Sequence, residues 1–270
     1  MRLGRVATPA GVAFVVIEGD GDDAVAKEIA EQYLSRNPTF TGRTWPMADV
    51  RLLAPILASK VICMGKNYAA HAREMGGEPP QDPVIFLKPN TAIIGPGIPI
   101  QLPHNANPVH HEGELAVVIE RPCKDVPADK AAQFILGYTI ANDVSARDQQ
   151  AADGQWMRAK GHDTFCPVGP WIETALDPSD CDIRTEVNGQ LRQDSNTAFL
   201  LHDVGAIIEW VSAVMTLLPG DIILTGTPEG VGPIEDGDTV SITIEGIGTL
   251  TNPVVRKANP AEAHPVKGKP

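Results

Sequence analysis

An α+β fold built mostly of β-strands is what this sequence predicts, and three observations carry that expectation. Glycine (25) and proline (24) are abundant in a chain of 270 residues, which implies many turns joining short elements. The apolar runs between those turns are brief and rich in β-branched residues, as in residues 12–17, 60–65 and 115–119. Asn188-Gly189, set between two such runs, is a two-residue hairpin signature. With 43% hydrophobic content the chain can bury a full core. The organisation expected is a small N-terminal β subdomain over residues 1–55, a larger domain over 56–256 and a flexible tail over 257–270.

Taken in order, residues 4–18 alternate around a Thr8-Pro9-Ala10-Gly11 turn and read as a hairpin. Residues 24–34 carry a short helical pattern. Residues 60–65 read as a strand, and residues 66–75 as a turn and short helix ended by Gly76-Gly77. A strand, a proline break and a second strand follow over 82–97. Residues 127–134 read as a helix, 134–141 as a buried strand and 156–171 as a loop crowded with charged, aromatic and Gly/Pro residues. Residues 203–217 form an amphipathic helix with Asp203 at its N-cap, and its apolar face belongs to the core. Strands over 222–225, 239–244 and 248–255 complete the chain.

Composition narrows the function. A formal net charge of −12 argues against nucleic acid or an anionic membrane as partner, because both are held by basic surfaces. Cys63, Cys123, Cys166 and Cys181 show no Cys-x-x-Cys spacing, so zinc-ribbon and thioredoxin-like readings have no support and reduced, buried thiols are expected. No segment reaches the roughly 18 consecutive apolar residues of a membrane-spanning helix. A cytoplasmic enzyme is the plain expectation.

The chemistry concentrates at Glu112-Gly113-Glu114, which leads into the apolar run 115–119. On a strand, residues 112 and 114 share a face, so two carboxylates stand side by side at the edge of a core. Their repulsion calls for a cation, a shared proton or basic partners, unless both simply sit in solvent. All-oxygen donors suit a hard divalent ion, Mg²⁺, Mn²⁺ or Ca²⁺. Asp143, at the end of a buried strand, is placed to return as a third carboxylate. On the helix after residue 66, His71 and Glu74 are three apart and share a face, which fits a carboxylate orienting a general base and equally fits a surface pair. Arg147 and Gln150 share the same spacing. The glycines of residues 226–232 let backbone N–H groups approach an anion, with Thr227 adding a hydroxyl. Lys88, which interrupts an apolar run, is either a snorkelling edge lysine or a charge aimed at a site.

Six stretches in order resemble the motif set of the fumarylacetoacetate hydrolase family: residues 65–71 (GKNYAAH), 86–89 (FLKP), 110–115 (HHEGEL), 142–148 (NDVSARD), 160–165 (KGHDTF) and 225–232 (TGTPEGVG). The resemblance spans about residues 60–255, and the N-terminal segment resembles the extra β domain of some members. It implies a mixed β-roll or sandwich catalytic domain, a homodimer, and Mg²⁺ or Mn²⁺ held by Glu112, Glu114 and Asp143. It further implies that His71, backed by Glu74, activates water, that Lys160 polarises the substrate, and that Arg147, Gln150 and Thr227 hold it. The substrate implied is a small anionic 2-oxo or 1,3-dioxo acid whose enolate the cation stabilises. C–C hydrolysis of the fumarylacetoacetate or acylpyruvate type is the first expectation. The alternative is action in aromatic catabolism as a 2-hydroxyhepta-2,4-diene-1,7-dioate isomerase, a 5-oxopent-3-ene-1,2,5-tricarboxylate decarboxylase or an oxaloacetate decarboxylase. A metal-stabilised, non-catalytic binding protein for a small acid is the rival from another class, and it would have no use for His71 and Lys160.

Overall fold

A computed structural model of the chain describes residues 1–31 and 35–258; the expected flexibility of the tail falls almost wholly outside them. Within them, Lys257 still donates its backbone N–H to Leu102 at 2.9 Å. Strands dominate, as expected. One large sheet runs in the order Phe40–Pro46, Val25–Ile29, Gly11–Glu18, Arg2–Thr8, Cys166–Glu173. It continues through Ile135–Asn142, Gly113–Ile119, Ile222–Leu224, Val61–Gly65 and Val84–Lys88. A second sheet orders Gln190–Asn196, Asp182–Val187, Thr239–Ile244, Gly248–Arg256 and Ile100–Leu102.

Within the strand Gly113–Ile119, residues 115–119 are apolar at consecutive positions because both faces are covered. Leu115, Val117 and Ile119 enter the main core with Ile140, Ile183, Ile242 and Ile244 of both sheets. On the opposite face, Ala116 joins Cys63, Ala141, Cys166 and Leu224, and Val118 joins Leu3 and Ile172. Each fully buried aliphatic side chain is worth roughly 1.5–3 kcal/mol, so this strand anchors whatever sits at its start.

The N-terminal hairpin pairs in full register from Arg2↔Ile17 to Thr8↔Gly11. It carries a small core of its own, with Val6, Val15, Ile17 and Ala26 packed against Trp45 and Leu52. Two registered pairs, Arg2↔Glu173 and Leu3↔Ile172, continue it into the large sheet. The helical pattern read over 24–34 is overturned where the structure describes it: Val25–Ile29 is a strand, and residues 32–34 lie outside the described residues. The reason is tertiary. Its backbone pairs with strands on both sides, and buried Glu28 accepts a fork from Arg43 at 2.5 and 2.6 Å, which a helix would forfeit.

Elsewhere the differences are local. Ala128–Phe134 is a 3₁₀ helix, and the loop read over 156–171 contains a short helix and the first part of the Cys166–Glu173 strand. Asp203 caps the amphipathic helix Val204–Val214 by accepting from the Ala206 N–H at 2.8 Å, and Ile207, Ile208 and Val211 lie in the core. The Asn188-Gly189 hairpin forms as expected. All four cysteines are free and buried. Among the described residues, no helix is long and apolar enough to cross a membrane.

Candidate active site

Strand register assembles the carboxylates. Glu114 lies opposite Ala141 and Gly113 opposite Asn142 in an antiparallel pair, so Asp143, two residues beyond Ala141, emerges on the face that carries Glu112 and Glu114. The Asp143 N–H donates to the Glu112 carbonyl at 2.9 Å, and the Asn142 side-chain oxygen accepts from the Glu112 N–H at 2.9 Å. Ligand oxygens from the three acids lie within 4.8 Å of one another, and all three residues are buried. Gly113 must be glycine, because a Cβ there would collide with Thr185 Oγ1.

Three cations answer the three acids, unevenly. Lys160 Nζ donates to Glu112 Oε2 at 2.7 Å and to Asp143 Oδ2 at 2.6 Å. Lys88 Nζ donates to Asp143 Oδ1 at 2.5 Å and to the Val144 carbonyl at 3.2 Å, and Arg147 Nη2 donates to Glu112 Oε1. Burial alone would raise the Glu112 pKa, but the Lys160 and Arg147 charges outweigh it and hold the carboxyl well below its usual range. Burial likewise works against the Lys160 ammonium, and Asp143 and Glu112 outweigh it, so Lys160 stays charged. Glu114 has no cationic partner among the described residues. Its Oε2 accepts only the Gly226 N–H, at 2.6 Å, and burial together with the Asp143 and Glu112 charges pushes its carboxyl far up. An uncompensated buried carboxylate in an all-oxygen cluster is what a hard divalent cation would satisfy, so the donor set fits such an ion.

Of the remaining predicted residues, His71, Arg147, Gln150, Lys160 and Thr227 line one pocket together with Glu112 and Glu114, whereas Glu74 and Asp143 do not line it. His71 stands on helix α1 (Ala69–Glu74), which ends as expected at Gly76 and Gly77, whose N–H groups return to Arg73 and Ala72. Its Nδ1 lies 3.2 Å from Glu74 Oε2, and Glu74 Oε1 accepts the Gly230 N–H at 3.0 Å, tying the helix to the glycine-rich loop. On helix α2 (Arg147–Asp153), Arg147 Nη1 donates to Gln150 Oε1 at 2.9 Å. The Thr227 hydroxyl donates to the Gly113 carbonyl at 2.9 Å and accepts from Gln193 Nε2 at 2.8 Å. Its observed contacts therefore fix the backbone between the two glutamates. His110 and His111 do not line the pocket, and burial pushes both down to about 4, which leaves them neutral at neutral pH.

Several contributors escaped sequence reasoning. Lys88 was legible as one of two options, and the structure selects the charge aimed at the site. Phe86 and Trp156 wall the pocket, their rings edge to face at 5.2 Å, with the Lys160 ammonium 5.0 Å from the Phe86 centroid. Gln193 reaches from the second sheet to accept the Gly113 N–H at 3.0 Å and to donate to Thr227 and to the Pro228 carbonyl. Asn67 pins the other side of the loop by donating to the Thr225 carbonyl at 2.8 Å. Its position in the GKNYAAH stretch was the only signal available.

Comparison with known proteins follows the same lines. Residues 60–255 match the family described as fumarylacetoacetate (FAA) hydrolase C-terminal, and residues 1–55 match the one described as Rv2993c-like, N-terminal. The chain is similar to the solved structure of 5-carboxymethyl-2-hydroxymuconate delta-isomerase from Mycobacterium smegmatis, at 78% identity and a TM-score of 0.91, covering 95% of this chain and 100% of that one. It is also similar to 2-hydroxyhepta-2,4-diene-1,7-dioate isomerase from Mycobacterium marinum, at 70% identity and a TM-score of 0.90, covering 96% and 100%. The mitochondrial oxaloacetate tautomerase of Arabidopsis thaliana is 42% identical over 208 residues, 75% of this chain and 93% of that one.

Proposed function

The chain belongs to the fumarylacetoacetate hydrolase family, and from that premise we propose that it is a divalent-metal-dependent isomerase interconverting keto and enol forms of a small 2-oxo dicarboxylic acid. The observation that carries the reading is one pocket lined by Glu112 and Glu114 of the three-carboxylate cluster, by an imidazole backed by a carboxylate and by a buried ammonium. The relatives named above, two isomerases and a tautomerase, favour this alternative over C–C hydrolysis. Hydrolysis stands as the second reading, because the His71–Glu74 pair also suits activation of a water.

Glu112, Glu114 and Asp143 would hold Mg²⁺ or Mn²⁺, and the Lewis-acid charge so supplied would acidify the C–H next to the 2-oxo group. His71 removes that proton: with Nδ1–H directed at Glu74, the lone pair resides on Nε2. Lys160 offers its ammonium to the oxygen that gains charge, and the imidazolium gives its proton to that oxygen rather than back to carbon, which completes the keto-to-enol isomerisation. Arg147 Nε, buried and without a partner, is a donor left over for a substrate carboxylate. Phe86 and Trp156 exclude water from the intermediate.

The test is enol-oxaloacetate and 2-hydroxy-dienedioates followed by ultraviolet absorbance with Mg²⁺, alongside acylpyruvates. Catalysed tautomerisation that stops on chelation is expected. Cleavage of acylpyruvate with no tautomerisation would put hydrolysis first. A homodimeric assembly in the cytoplasm is part of the proposal, supported by family membership and by exposed apolar side chains such as Leu57 and Phe199. Light scattering at the 28.8 kDa of one chain would overturn the dimer.

A further inference from the structure

Each carboxylate of the cluster has one oxygen already engaged by the protein on a side that does not depend on Lys160. Arg147 Nη2 takes Glu112 Oε1, the Gly226 N–H takes Glu114 Oε2 at 2.6 Å, and Lys88 Nζ takes Asp143 Oδ1 at 2.5 Å. Lys88 is a fixture. It is 1% exposed, it does not line the pocket, and a second bond to the Val144 carbonyl at 3.2 Å holds its ammonium in place. The oxygens that remain are Glu112 Oε2, Glu114 Oε1 and Asp143 Oδ2. The first and last carry Lys160, whose ammonium lines the pocket; Glu114 Oε1 takes no hydrogen bond among the described residues.

We infer that these three donors, Lys88 foremost, restrict each carboxylate to a single donated oxygen and thereby set the ion preference of the site. Three protein oxygens with the other positions left to water or substrate match the octahedral demand of Mg²⁺ and Mn²⁺. Ca²⁺ takes up to eight oxygens and gains from carboxylates that donate both, which this arrangement denies it. Lys88 acts through Asp143 and is a positioning residue. The inference rests on the metal reading proposed above.

The experiment is calorimetric titration of Mg²⁺, Mn²⁺ and Ca²⁺ into chelator-stripped parent, Lys88→Met and Arg147→Met, with thermal melting to verify that each variant is folded. Freed from Lys88, Asp143 can offer both oxygens, so the ratio of Ca²⁺ to Mg²⁺ affinity should rise by about tenfold or more. Arg147→Met frees Glu112 Oε1 and should move the ratio in the same direction, and it decides the matter if Lys88→Met does not fold. Equal loss of affinity for both ions in the folded variants, or an unchanged ratio, overturns the inference and leaves the metal site standing. Absence of Mg²⁺ and Mn²⁺ binding to the parent overturns the metal reading itself.

Discussion

Asp143 lies across the strand pair from Glu112, its backbone N–H donating to the Glu112 carbonyl at 2.9 Å. The spacing of the carboxylates is thus set by backbone pairing, which side-chain substitution leaves in place. Alanine at Glu112, Glu114 or Asp143 should therefore weaken Mg²⁺ binding by about tenfold or more without unfolding the sheet. Calorimetry reads the affinity and circular dichroism the fold. Unchanged affinity in all three variants rules the site out.

His71 and Lys160 line one pocket but differ in their partners: among the described residues the His71 side chain pairs only with Glu74, whereas Lys160 spans two of the acids. Loss of the imidazole should reduce turnover about 10²-fold or more, with little change in the affinity of the inhibitor oxalate. Lys160→Ala should lose turnover and oxalate affinity together, because its charge also attracts the ground-state anion. Parent-like turnover by His71→Ala would sink the general-base role and favour a decarboxylase that needs only the metal.

Gly226 adopts φ +101°, and a Cβ there would lie 2.7 Å from Asn67 Cβ. Its N–H is also the donor to Glu114. Gly226→Ala should cost about 1–3 kcal/mol through backbone strain and the displaced loop. At about 2–4 °C per kcal/mol for a chain of this size, the loss is visible in a thermal melt. Mg²⁺ affinity should fall with it, and an unaltered melting temperature together with unaltered affinity would show that the loop does not constrain Glu114.

Much of this site is legible in one dimension because its signals are periodic and local. Glu112 and Glu114 announce a shared face by their spacing, the continuous run 115–119 announces a strand covered on both sides, and His71 with Glu74 announces one face of a helix. The capped helix Val204–Val214 and the Asn188-Gly189 hairpin are equally local, since cap and turn chemistry act over three or four residues.

What the tertiary structure alone decided is which groups meet across long separations. Lys88 reaches Asp143 over 55 residues of chain, Gln193 reaches Gly113 over 80 and Gly226 reaches Glu114 over 112. No periodicity records such partners, because strand order and register determine them after the sheet is assembled. The same holds for the Val25–Ile29 strand, whose helical pattern yields to pairing on both edges, and for the Thr227 hydroxyl, engaged by a backbone carbonyl and a distant amide. Side-chain type fixes what each group can bond, whereas the pairing of strands remote in sequence selects what it does bond.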